Sequence, residues 1–346
     1  MKKIVLFVLI MVMLITIGTT GCNSSSKVTL NVYNWGEYID KDTIKMFEKE
    51  FDIKVNYKTF TTNEDMYVKI TSGNAKYDVL FPSDYMIERL IEEDLLYKLN
   101  MENIPNSKFI ADEFTSPLYD PSNEYSVPYM WGTVGILYNK KMVTDVVDSW
   151  DILWNEKYSQ QILMQDSQRD SLMVGLLKLG YSMNTTSEDE INQAKQLLID
   201  QRPLVLGYVV DEVRDKMVNE EAALAVVWSG EAMIAKAENP DLEYVIPKEG
   251  SNIWVDAMVI PENSENKEAA ELFINFMTRT DIALMNAEWV GYNTPQTQAY
   301  IQLEPDVKND KSAYPDQSVI DTLEFFVYDK KATELFNKAW TEIIAD

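Results

Sequence analysis

Two long extended runs limit what this chain can fold into. Tyr125 to Tyr138 reads Tyr-Ser-Val-Pro-Tyr-Met-Trp-Gly-Thr-Val-Gly-Ile-Leu-Tyr, more than one strand needs, and Pro128, Gly132 and Gly135 interrupt it. Such a run suits a segment that leaves one domain and enters another. Ser251 to Pro261, again extended and rich in β-branched and apolar residues, then crosses back. Alternate side chains of an extended segment share a face, so Trp254 and Asp256 project together. An aromatic plate beside a carboxylate suits a cation, although an ordinary strand with one buried tryptophan and one satisfied aspartate has the same pattern.

The segments around these runs alternate in type. Val28 to Tyr33 alternates as a strand, Ile44, Phe47 and Phe51 follow at helical spacing, and Ile53 to Phe60 reads as a second strand. Met66 and Ile70 mark a helix, Tyr77 to Phe81 a third strand, and Pro82-Ser83-Asp84-Tyr85 its carboxyl-end loop, where Ser83 or Asp84 would equally serve to cap the next helix. A second α/β region follows, with strands at 161–165, 204–210, 223–228 and 242–247 and helices near 168–180 and 188–200. Amphipathic helices begin near Glu265 and carry Leu335, Phe336, Ala339 and Ile343 at the C-terminal end. The chain of 346 residues is long enough for two α/β domains, each with its own core.

The N-terminus carries Lys2 and Lys3, an apolar run from Ile4 to Ile17, then Gly18-Thr19-Thr20-Gly21-Cys22 and a serine-rich tether. That is a signal peptide, too short to span a membrane, and small residues before the only cysteine resemble a bacterial lipobox. Thr19 stands where an aliphatic residue is usual. Cleavage after residue 21 would leave Cys22 lipidated, 22–27 as the tether, and a charge of −27, since loss of two lysines takes 31 basic residues to 29 against 56 acidic ones. So acidic a surface repels nucleic acid and draws cations. With no histidine in the chain and no internal thiol, Ser-His-Asp and Cys-His catalysis and the ordinary zinc sites are excluded.

Several motifs together resemble the extracytoplasmic polyamine-binding proteins of ABC transporters, the spermidine/putrescine type. They are Tyr-Asn-Trp-Gly-Glu-Tyr at 33–38, Pro-Ser-Asp-Tyr at 82–85, Val-Trp-Ser-Gly at 227–230, Pro-Lys-Glu-Gly-Ser-Asn-Ile-Trp-Val-Asp at 247–256 and Val-Gly-Tyr-Asn-Thr-Pro at 290–295. The resemblance implies a two-lobed, periplasmic-binding-protein-like type II α/β fold with the ligand cleft between the lobes and multiple hinge crossings. Lobe 1 is then 28–131 plus 256–300 and lobe 2 is 132–255 plus 301–346. It places an aromatic box on Trp35, Tyr85, Trp228, Trp254 and Tyr292, with Tyr38 nearby and Ser83 as a polar contact, and amine-binding carboxylates on Glu37, Asp170 and Asp256. A further family carboxylate falls at or beside Ser167, which Asp166 would replace by a small shift, and Phe326 stands where a family member can present an amide. The implied partners are a linear polyamine, an ABC permease and, through the lipid on Cys22, the membrane, for a monomeric extracytoplasmic protein that needs no cofactor or metal and is not an enzyme.

Two other readings compete. A sugar-binding protein of the same architecture also uses aromatic plates and carboxylates, and against it stand the acidic balance and the lack of an obvious arginine partner near these motifs. A glycoside hydrolase needs only two carboxylates, yet nothing in the sequence fixes such a pair. With ammoniums titrating near ~10, carboxylates near ~4 and no histidine, binding is expected to change little between about pH 6 and pH 8.

Overall fold

The computed structural model describes residues 28–73 and 76–345. The leader, Cys22 and the tether lie outside the described residues.

The first strand, β1 (Thr29–Trp35), buries Leu30 and Val32 on one face. The helix Lys41–Phe51 starts where the Asp40 side chain accepts from the Asp42 N–H and ends at Asp52 in a left-handed conformation. Its Ile44 and Phe47 pack toward the core, where Phe47 meets Phe51, Phe273 and Phe276 ring to ring. Burying a side chain of this size contributes roughly 2–3 kcal/mol. The chain returns as β2 (Lys54–Phe60), parallel to β1, and after the helix Asn63–Thr71 as β3 (Val79–Leu80), parallel to β1 on its other side. The third strand is shorter than its apolar run suggests; ahead of it the Asp78 N–H still donates to the Asn31 carbonyl, at 2.7 Å, while the Asn31 N–H goes to the Asp78 carboxylate, at 2.7 Å, in place of a backbone carbonyl.

Both long runs are strands, β4 (Ser126–Asn139) and β9 (Ser251–Val259), and every residue of β9 is buried. They are antiparallel partners, and β9 also pairs with β3 through Val259 and Leu80. β4 changes neighbours part-way. Ser126 to Thr133 pairs with β9, while Val134 to Tyr138 pairs with β7 (Leu224–Trp228) and Ile136 to Asn139 with β8 (Leu242–Val245). Beyond β7 the sheet continues in parallel through β5 (Ile162–Gln165) to β6 (Val205–Val209). The order is therefore β2-β1-β3-β9-β4-β7-β5-β6. A short β10 (Leu323–Glu324), which no periodicity announces, lies parallel to Ser251 and Asn252 and makes a further connection at the crossing. The C-terminal helix Lys330–Ile344 packs on the helices Gln168–Lys178 and Glu188–Gln201, and buries Phe336, Ala339 and Ile343.

Candidate ligand-binding cleft

The parallel strands β1, β2 and β3 on one side, and β5, β6 and β7 on the other, all point their carboxyl ends at one cleft. This is where ligands sit in open α/β sheets. One wall is built by 35–38, 60–64 and 83–85, the other by 167–170, 210–211 and 228–231. Asn252, Trp254 and Asp256 of β9, with Tyr292 and Phe326, close it.

The aromatic residues are wedged by backbone that lacks side chains. A Cβ on Gly132, opposite Trp254 in the ladder, would lie 2.5 Å from the Trp254 ring. A Cβ on Gly230 would lie 2.3 Å from the ring of Tyr292. Tyr292 in turn is held by its neighbour Asn293, which exchanges backbone hydrogen bonds with Trp131. Its ring meets Trp254 at 5.1 Å and Tyr38 at 5.5 Å, both edge to face. On the facing wall Trp35 donates its indole N–H to the Phe81 carbonyl at 2.8 Å, which fixes the plane of the ring. Trp228 ends β7 and is only partly buried.

The polar groups are densely acidic. Seven carboxylates line the cleft, from Glu37, Glu64, Asp84, Asp170, Asp211, Glu231 and Asp256, against one arginine, Arg169. Asp256 is 5% exposed, and its Oδ1 has no hydrogen-bond partner; the same is true of the Tyr38 hydroxyl and the Trp254 Nε1. Burial pushes Asp256 up to about 7, against the moderating Ser83 and Tyr38 hydroxyls beside it. Burial likewise takes Asp170 to about 6, although the Ser167 hydroxyl donates to its Oδ2 at 2.6 Å. Glu231 rises to about 7, chiefly through burial, with Arg214 opposing and the charges of Asp211 and Glu37 adding. Glu64, Asp84 and Asp211 are also raised, again by burial first. A cleft that holds this many strained carboxylates favours a cation of more than one charge.

The family of bacterial extracellular solute-binding proteins matches residues 42–315. The chain belongs to that family. It is 37% identical over 308 residues, 88% of each chain, to the spermidine/putrescine-binding periplasmic protein of Salmonella typhimurium. A provisionally assigned spermidine/putrescine ABC transporter protein from Listeria monocytogenes superposes with a TM-score of 0.89 at 42% identity, over 91% of this chain and 98% of that one. The spermidine/putrescine ABC transporter substrate-binding protein PotD from Streptococcus pneumoniae gives 0.78 at 39%, over 92% and 98%. The fold of this solute-binding protein is thus the two-lobed type II α/β fold. Its relatives are named as binding proteins and as the substrate-binding protein of an ABC transporter, which sets the hydrolase reading aside.

In this solute-binding protein, Trp35, Glu37, Tyr38, Ser83, Tyr85, Asp170, Trp228, Trp254, Asp256 and Tyr292 all line the cleft. Ser83 begins the helix Asp84–Glu92 without a side-chain cap bond; its hydroxyl accepts from Asn63 Nδ2 at 3.1 Å instead. Glu37 sits at the mouth, exposed, on a left-handed residue with φ 47°. Asp166 is different: it is exposed and forms no part of the cleft wall, because the chain turns after β5 and brings Ser167 inward in its place. A second expectation fails as well: an arginine does stand in the site, Arg169, 4% exposed. Burial also lifts Asp256, Asp170 and Glu231 into or near the window between about pH 6 and pH 8, which argues against the flat binding expected there. Glu64, Asp211 and Glu231 are not legible in the sequence because each sits just past a strand, with no local pattern to separate it from a solvated acid. Distance three from Trp228 on the next helix is the one signal that could have found Glu231.

Proposed function

We propose that this protein captures linear polyamines, spermidine and/or putrescine, outside the cytoplasm and delivers them to an ABC permease. The observation that carries the reading is Asp256, a buried carboxylate with an unpartnered oxygen among the rings of Tyr38, Trp254 and Tyr292. An ammonium placed there supplies the missing charge, and each ring it faces contributes ~0.5–2 kcal/mol once water is excluded. The methylenes of a polyamine lie against the same rings, while its far ammonium reaches the acids of the opposite wall. Neutral sugar hydroxyls would leave these carboxylates uncompensated. The contacts proposed for the ligand are Trp35, Glu37, Tyr38, Ser83, Tyr85, Asp170, Trp228, Trp254, Asp256 and Tyr292.

The lobes proposed are 28–131 plus 256–300 and 132–255 plus 301–346, with closure about the paired crossings. The Gln168 amide supports this: it donates to Glu64 at 3.0 Å from the opposite wall. A lipid on Cys22 would hold the monomeric protein at the outer face of the membrane. Calorimetry with putrescine, spermidine, spermine and a maltodextrin tests the function. Heat and a tryptophan fluorescence change with a polyamine, and neither with maltodextrin, are expected; no response to any polyamine at millimolar concentration refutes it.

A further inference from the structure

The one basic side chain of the cleft is held as a ligand would be. Arg169 stands on the first turn of the helix Gln168–Lys178, and its guanidinium carbon lies 5.3 Å from the ring centre of Tyr85, 4.5 Å from Phe326 and 4.7 Å from Phe336. Its polar contacts are neutral: one terminal nitrogen donates to Asn184 Oδ1 at 3.2 Å and to the Val327 carbonyl at 3.4 Å, and Nε has no partner. Among the described residues no carboxylate lies within ion-pair distance of it, although the charges of Glu64, Asp84 and Asp170 act on it from further away. A buried cation ordinarily takes a direct carboxylate. Here three rings and two carbonyl-type oxygens do the work, the chemistry that also recognises an alkylammonium.

Resting on the polyamine reading, we propose that Arg169 is a resident cation that fills an amine subsite at the Phe326 end of the cleft and thereby limits the length of polyamine the protein takes. Tyr85, Asp170 and Phe326 line both the cleft and the surroundings of this arginine, so the cage opens directly onto the ligand space. With the guanidinium in place, an incoming ammonium meets a like charge there and stops short. Without it, the rings and the Asn184 and Val327 oxygens form an unfilled cation site continuous with the cleft.

The test uses Arg169→Ala and, as a second variant, Arg169→Gln, in the mature protein. Titrations with putrescine and spermine are run with and without guanidinium chloride at low millimolar concentration, alongside melting curves. Arg169→Ala is expected to raise the ratio of spermine to putrescine affinity by about tenfold or more over wild type. Guanidinium should raise its melting temperature, restore the wild-type ratio, and leave wild type unmoved. A variant that fails to fold alone but folds with guanidinium supports the cage equally. A folded variant whose ratio stays within about threefold of wild type and does not respond to guanidinium overturns the proposal, as does failure of both variants to fold even with guanidinium. If wild type binds no polyamine, the reading of the cleft has failed rather than this one.

Discussion

Replacing Asp256 with asparagine should make the free protein more stable and the binding protein worse. The carboxyl is 5% exposed and its pKa is lifted from about 4 in an unfolded chain to about 7. Raised in the folded state, it binds protons more tightly there than when unfolded. Its contribution to stability is therefore intact below about pH 4 and lost as pH rises toward and past 7. At about pH 8 the cost amounts to ~4 kcal/mol, from three pH units at 1.36 kcal/mol each. Asparagine keeps the size and removes that cost, so the free variant should melt higher than wild type near pH 8, and the gap should narrow to ~1.5 kcal/mol as pH falls to about 5. Binding moves the other way. An ammonium deprived of a desolvated partner typically costs ~2–5 kcal/mol, or roughly 30- to several-thousand-fold in affinity. Calorimetric titration with spermidine and putrescine and scanning calorimetry at both pH values measure the two effects. Asp189→Asn, an exposed acid on the helix Glu188–Gln201, is the control and should leave affinity unchanged. A folded Asp256→Asn protein that melts lower than wild type at about pH 8 yet binds within about threefold, less than 1 kcal/mol, refutes the reasoning and makes Asp256 a structural acid.

Three further outcomes follow from the same geometry. Polyamine affinity should fall as pH drops from about 8 to 6, by about tenfold for one carboxyl titrating near 7 and toward a hundredfold if Asp256 and Glu231 both must ionise; an unchanged affinity across that range would show that neither faces the ligand. Gly230→Ala should push the Tyr292 ring from its seat, since the new Cβ has only 2.3 Å, and weaken binding by about tenfold in a protein that still folds. Glu64→Ala removes the acceptor of both Gln168 Nε2 and the Tyr85 hydroxyl; a loss of ~1.5–3 kcal/mol of binding by calorimetry is expected, and no loss would mean that this bridge does not assist closure.

Much of the cleft can be read along the chain. The alternation of Trp254 and Asp256 on β9 brings both to the cleft, as period-two geometry requires, and the motifs after β1, β3 and β7 fall at strand ends where a cleft must be lined. The helix at 41–51 carries its core stripe at Ile44 and Phe47, and Asp40 caps it, all local matters. The third strand and Asp166 are less legible. Each turns on one side chain's partner, the Asp78 carboxylate taking the Asn31 N–H and Ser167 taking the inward position.

Residue order by itself determined the alternating strands and helices, the acidic balance, the exclusion of histidine and thiol chemistry, and which aromatic residues stand at strand ends. Tertiary structure alone decided where β4 leaves β9 for β7, since that depends on which neighbour the same extended backbone meets. It also decided which acids matter. A carboxylate's pKa depends on the water it loses when another segment covers it, and Glu64 and Asp256 are each covered by chain more than twenty residues away. Arg169 shows the same cause at its plainest: nothing adjacent to it predicts a cage made by Tyr85, Phe326 and Phe336, which come together only when the C-terminal segment folds back across the cleft.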